Sequence, residues 1–106
     1  MEKQINGIIE EYRSQLYKEF GDSLESVILY GSRARGDAKR DADIDILCVM
    51  REPFDYGKLI QRTSAATARI SLKYGVTLSR TFVLNSDLKT REIPFLMNIK
   101  REGVAV

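Results

Sequence analysis

At 106 residues the chain is long enough for one modest hydrophobic core and too short for a catalytic domain joined to a separate substrate domain. Its 43% hydrophobic and 30% charged residues are those of a globular protein, and 17 basic against 15 acidic side chains leave a net charge of +2, too small to argue for nucleic acid by itself. One cysteine and no histidine exclude an internal disulfide, histidine-dependent triads, imidazole zinc sites and histidine-ligated haem, so the metal chemistry that remains is carboxylate-based and suits Mg²⁺ or Mn²⁺.

The N-terminal MEKQINGII lacks the pattern of a secretory signal, and no apolar run approaches a membrane span, so a cytoplasmic location is expected. Ile5, Ile8, Ile9, Tyr12, Leu16 and Phe20 recur at three- and four-residue spacing, which predicts an amphipathic packing helix ended by Gly21. A first strand follows over 24–30.

Beyond Tyr30 the chain reads GSRARGDAKRDADID. Gly31 permits positive φ and close approach of a ligand to the backbone, and Ser32 is suited to capping a helical turn whose free N–H groups favour an anion such as phosphate. Arg33, Arg35, Lys39 and Arg40 then place four cations within eight positions. Such a run is ordinarily a solvated loop, but guanidinium groups also bind phosphate oxygens bidentately, which singles out Arg33 and Arg35. The Arg35-Gly36-Asp37 tripeptide is a coincidental match to a cell-adhesion motif.

A second strand is predicted over 43–50. On a strand Asp43 and Asp45 share a face about 6.6 Å apart at ~3.3 Å per residue, a reach that suits divalent ions ~3.5 to 4 Å apart. Ile44 and Ile46 face the other way, into packing. Two carboxylates on one face repel unless a cation lies between them. The five apolar residues Ile46, Leu47, Cys48, Val49 and Met50 mark the strand as buried on both faces, with Cys48 a small core residue. The ten-residue connection is short for a parallel crossover, so the two strands should be antiparallel, with Gly31 and Ser32 beside Asp43 and Asp45. Against this stands an ordinary strand-to-helix turn followed by turn-forming aspartates.

Pro53 and Asp55 announce a helix whose face carries Tyr56, Leu59, Ile60, Thr63, Thr67, Ile70 and Tyr74, ending at Gly75. A third strand is predicted over 76–84, closed by a turn at Asn85, Ser86 and Asp87. Pro94 opens a final helix, Gly103 caps it, and the VAV tail is a candidate edge strand.

The GSRARG run, the ten residues from Gly-Ser to Asp-x-Asp and the flanking strands resemble the GSx10DxD signature of the DNA polymerase β-like nucleotidyltransferases. The small size and the PFLMNIKREGV segment are similar to the minimal nucleotidyltransferases, the MNT antitoxins of HEPN/MNT toxin–antitoxin pairs. The resemblance implies an α+β polymerase β-like core with a small mixed sheet flanked by helices, and one minimal nucleotidyltransferase domain over 1–106. It implies Asp43 and Asp45 as catalytic ligands of Mg²⁺, and Gly31, Ser32, Arg33 and Arg35 as the nucleotide-binding set. The reaction it implies is transfer of AMP from ATP to a protein hydroxyl, a tyrosine of a HEPN ribonuclease, with this chain as the antitoxin. The alternative is a non-catalytic nucleotide-binding antitoxin or regulatory subunit that inhibits its partner by contact. Neither reading calls for a membrane or direct nucleic-acid binding, since no long basic stripe is present, and a homo-oligomer is compatible with both.

One departure stands out. Members of the wider superfamily commonly carry a third carboxylate on a later strand, whereas Val76 to Phe82 contains no acid and offers Thr77, Ser79 and Thr81 on one face. Asp41 would be a substitute if the second strand began early.

Overall fold

The structure, a computed structural model, describes residues 3–39 and 41–106. Helix α1 runs over Lys3–Phe20, and Gly21, at φ 56°, turns the chain into a short 3-10 segment. Strand β1 (Leu24–Tyr30) leads into a single helical turn, α2 (Ser32–Arg35), and β2 covers Ile44–Met50. Helix α3 (Tyr56–Tyr74) begins where the Asp55 carboxylate accepts from the Lys58 N–H at 3.2 Å, a side-chain cap that satisfies one of the free donors of the first turn. Strand β3 (Leu78–Leu84), helices α4 (Asn85–Thr90) and α5 (Pro94–Glu102), and the two-residue β4 (Val104–Ala105) complete the described chain.

The strands form one mixed sheet in the order β3-β2-β1-β4. β1 and β2 are antiparallel, as the short connection requires, with Tyr30 opposite Asp45; β2 and β3 are parallel, with Asp45 opposite Ser79. The fold is therefore α+β, as the order of elements indicates, and its central strand is the one with apolar residues on both faces.

Period two assigns those faces. Val27, Leu29, Ile44, Ile46, Cys48 and Phe82 pack beneath α1 and α3, against Ile8, Tyr12, Leu16 and Ile70. The opposite face carries Leu47 and Val49 with Ile28, Tyr30, Val83 and Leu88, closed by Ile99 of α5. Burial of Cys48 pushes its thiol up to about 12, which suits the core role expected of it.

Several details differ from expectation. β3 starts at Leu78 because Gly75, left-handed at φ 64°, and the Val76 N–H, which donates to the Ser71 carbonyl at 3.0 Å, finish α3 first. Asn85, Ser86 and Asp87 open a helix instead of closing a turn, since the same residue types serve helix starts, and Leu88 gives α4 an apolar contact. Gly103 caps the final helix as expected, its N–H donating to the Ile99 carbonyl at 2.7 Å, but with an extended backbone (φ −67°, ψ 148°). Its value is close packing: a Cβ there would lie 2.6 Å from the Ile99 carbonyl and 2.7 Å from Ile28 Cγ2. That contact sets α5 onto the sheet and lets Val104 and Ala105 pair with Leu29 and Ile28. Among the described residues no helix is long and apolar enough to cross a membrane.

Candidate active site

The end of β1 and the start of β2 meet at Gly31. Its backbone, at φ 75° and ψ −159°, lies in a region that essentially only glycine occupies, and a Cβ added there would run into the Asp45 carboxylate. The glycine is thus required twice, by its dihedrals and by its neighbour. It is also the N-cap of α2: its carbonyl accepts from Ala34 at 3.1 Å and Arg35 at 3.2 Å, while Gly36, left-handed at φ 82°, ends the turn. Ser32, expected as a cap, is instead the first helical residue, and the cap makes no side-chain hydrogen bond.

β2 starts one residue later than expected, so Asp43 is exposed and immediately precedes the strand; Asp45, half-buried, is its second residue. The Ile44 N–H donates to the Thr77 carbonyl at 2.9 Å, fixing this end of β2 against β3. Burial raises the Asp45 pKa above its ordinary value, the neighbouring Asp43 carboxylate raises it further, and Arg35 opposes both. This electrostatic conflict is the one the sequence implied for a carboxylate pair. An oxygen-only donor set of two carboxylates suits a hard divalent cation, which would relieve the conflict.

Arg33 and Arg35 separate. Two residues apart on a helical turn they diverge by about 200°. Arg33 Nη2 donates to the Ala42 carbonyl at 2.9 Å and so holds the loop that carries Asp43. Arg35 remains on the Gly31 side, ion-paired with Asp37 at 3.2 Å and with Glu102 of α5 at 3.5 Å. Arg40 lies outside the described residues.

Ser79 stands opposite Asp45 in the register of β3, and Thr81, two residues on, is hydrogen-bonded to the Tyr30 hydroxyl at 2.9 Å. Arg80 points to the other face, where it donates to Thr63 Oγ1 and the Ile60 carbonyl, both at 2.9 Å, pinning β3 to α3. Asp41 is exposed in the turn before β2 and is not part of the strand. Among the described residues no cluster of three or more acids, cysteines or histidines could hold a metal ion.

The sequence did not reveal that α5 would wall this site. Tyr30 and Phe95 rings meet edge to face at 5.5 Å, and between them, Gly31, Arg35, Asn98 and Glu102 lies a cleft of about 170 Å³. The only advance signal was the VAV tail, whose pairing with β1 brings α5 to Gly31.

The nucleotidyltransferase domain family matches residues 8–100. The chain is 32% identical over 103 residues to a Methanocaldococcus jannaschii protein named "Putative protein adenylyltransferase MJ0141", covering 97% of this chain and 99% of that one. A second protein of that organism, of like name and designated MJ1305, is 31% identical over 96 residues; the match covers 87% of this chain and only 63% of that longer relative. Among solved structures, a toxin–antitoxin crystallised with AMP-PNP superposes with a TM-score of 0.62 at 16% identity, over 91% of this chain and 70% of the matched one.

Proposed function

This chain belongs to the nucleotidyltransferase domain family, and we propose that it transfers AMP from ATP to a hydroxyl of a partner protein, a tyrosine of a HEPN-type ribonuclease toxin, and thereby acts as the antitoxin. The observation that carries the reading is the contact of Gly31 with Asp45, which puts a backbone open to phosphate against a strained carboxylate pair. Relatives named as protein adenylyltransferases support the reaction, and a toxin–antitoxin of the same fold supports the setting.

Asp43 and Asp45 would hold Mg²⁺, which when bound neutralises the triphosphate and the charge developing at the α-phosphorus. The chain's own residues do the rest. The backbone at Gly31 and the start of α2 would hold the outer phosphates, and Ser32, at the first helical position, would offer its hydroxyl to them. Arg35 approaches from the Glu102 side with a guanidinium suited to phosphate oxygens, while Arg33 positions the Asp43 loop through Ala42. The O–P bond to the acceptor forms as the bond to pyrophosphate breaks, and the acceptor's proton leaves to solvent or a partner group.

A second reading, a nucleotide-binding antitoxin that inhibits by contact, is favoured by one observation: Ser79, a neutral hydroxyl, stands next to Asp45. Incubating the chain with Mg²⁺, ATP and the product of the adjacent reading frame, followed by intact mass spectrometry, separates the two. Transfer predicts a gain of one adenylyl group on the partner, lost with Asp45→Asn and accelerated by Ser79→Asp. Inhibition of the partner with no mass gain, even by Ser79→Asp, selects the contact reading.

A further inference from the structure

We propose that the cleft between the end of β1 and α5 is the nucleobase subsite, and that it recognises a base bearing an exocyclic amino group. The inference rests on the reading of Gly31 and Asp45 as a nucleotide site and adds what that reading lacks, a place for the part of the nucleotide that is not phosphate.

Position is the first argument. Gly31 is a common wall: one side abuts the Asp45 carboxylate and the other lines the cleft, so phosphates held at Gly31 lie next to its mouth. Size is the second, because about 170 Å³ admits a planar ring system and not a whole nucleoside triphosphate.

Lining chemistry is the third. Tyr30 and Phe95 meet at 90° with centroids 5.5 Å apart, an arrangement that offers a ring face for stacking. Phe95 is 44% exposed, so part of its ring is open to a ligand in the cleft. Polar groups converge on the same cleft. The Glu102 carboxylate accepts only and would repel a phosphate, but it suits an amino donor on a base edge. Asn98 is engaged through Oδ1 by Arg101 Nη2 at 2.6 Å, which orients its NH₂ group as a donor to ring nitrogens. Glu102 is ion-paired with Arg35 at 3.5 Å, and both residues line the cleft. A donor and an acceptor set beside aromatic rings match a purine edge with an amino group, such as adenine.

The test is calorimetry in Mg²⁺ with three probes, a non-hydrolysable ATP analogue, its inosine counterpart lacking the amino group, and inorganic tripolyphosphate, on wild type, Phe95→Ala and Glu102→Ala. Circular dichroism confirms that each variant is folded; Phe95 and Glu102 are not in the buried core. The proposal expects Phe95→Ala to weaken the ATP analogue by about tenfold or more and leave tripolyphosphate unchanged. It also expects wild type to prefer the ATP analogue over the inosine one, a preference lost in Glu102→Ala. Equal weakening of all three probes, or unchanged ATP affinity, overturns it. Unchanged ATP affinity with impaired transfer would assign the cleft to the acceptor. If wild type binds neither ATP analogue nor tripolyphosphate, the underlying nucleotide reading itself fails, and the subsite with it.

Discussion

Gly31 and Asp45 concentrate the residue-scale argument. Gly31→Ala must adopt dihedrals that cost on the order of 1–3 kcal/mol for an L side chain, and its methyl must displace Asp45. A lowered melting temperature with loss of nucleotide binding is expected, and thermal unfolding with and without Mg²⁺–ATP measures both. Asp45→Asn should act in the opposite direction on the free protein. A carboxylate whose folded pKa is raised binds more protons in the native state than in the unfolded one, so stability falls as pH rises through the interval above its ordinary 3.8. Removing the charge abolishes that penalty. The metal-free variant should therefore melt at or above wild type at pH 7 and lose the stabilisation that Mg²⁺–ATP confers. The sequence disclosed the need for Gly31 and the conflict between Asp43 and Asp45, because both follow from residue type and spacing. It did not divide Arg33 from Arg35, since only the helical turn of α2 sends one to Ala42 and the other to Glu102.

At the scale of elements, helices and the central strand were legible where the apolar period was unambiguous: α1 and β2 bury the apolar residues their patterns select, and α3 buries Leu59, Thr63, Thr67 and Ile70 but leaves Tyr56 exposed and Ile60 and Tyr74 half-buried. What escaped the sequence was non-local or ambiguous. Asn85, Ser86 and Asp87 serve turns and helix starts alike, and the placing of α5 beside Gly31 depends on Gly103 fitting against Ile28, a contact between residues far apart in the chain. The α1 to α3 seam makes its own prediction. Glu11 accepts from the Tyr74 hydroxyl at 2.5 Å and from Lys73 at 3.1 Å, with Arg69 at 3.8 Å. The Tyr74 hydrogen bond first, then Lys73, hold its pKa below the ordinary 4.5. A depressed carboxylate stabilises above its unfolded pKa and loses that contribution as pH falls through the folded one. Wild type should thus outlast Glu11→Gln in thermal melts at pH 7, and the difference should shrink as pH falls below 4.5 and vanish once it has passed the lowered folded pKa. A difference that persists there would assign the seam to packing alone.

For the whole molecule, the sheet order puts the site at one end of the two central strands, with α1 and α3 behind it and α5 along one side. On the strand beside Asp45 the arrangement places the hydroxyls of Ser79 and Thr81 and no acid among the described residues of β3. Everything proposed for the protein depends on nucleotide and divalent cation meeting at Gly31 and Asp45. The most direct measurement is the affinity for ATP by calorimetry in Mg²⁺ and in EDTA, for wild type and for the double variant Asp43→Asn, Asp45→Asn. Binding that is about tenfold or more tighter in Mg²⁺, with that dependence gone in the double variant, is the predicted result. Equal affinity in Mg²⁺ and EDTA, or a double variant that binds as wild type does, would contradict it.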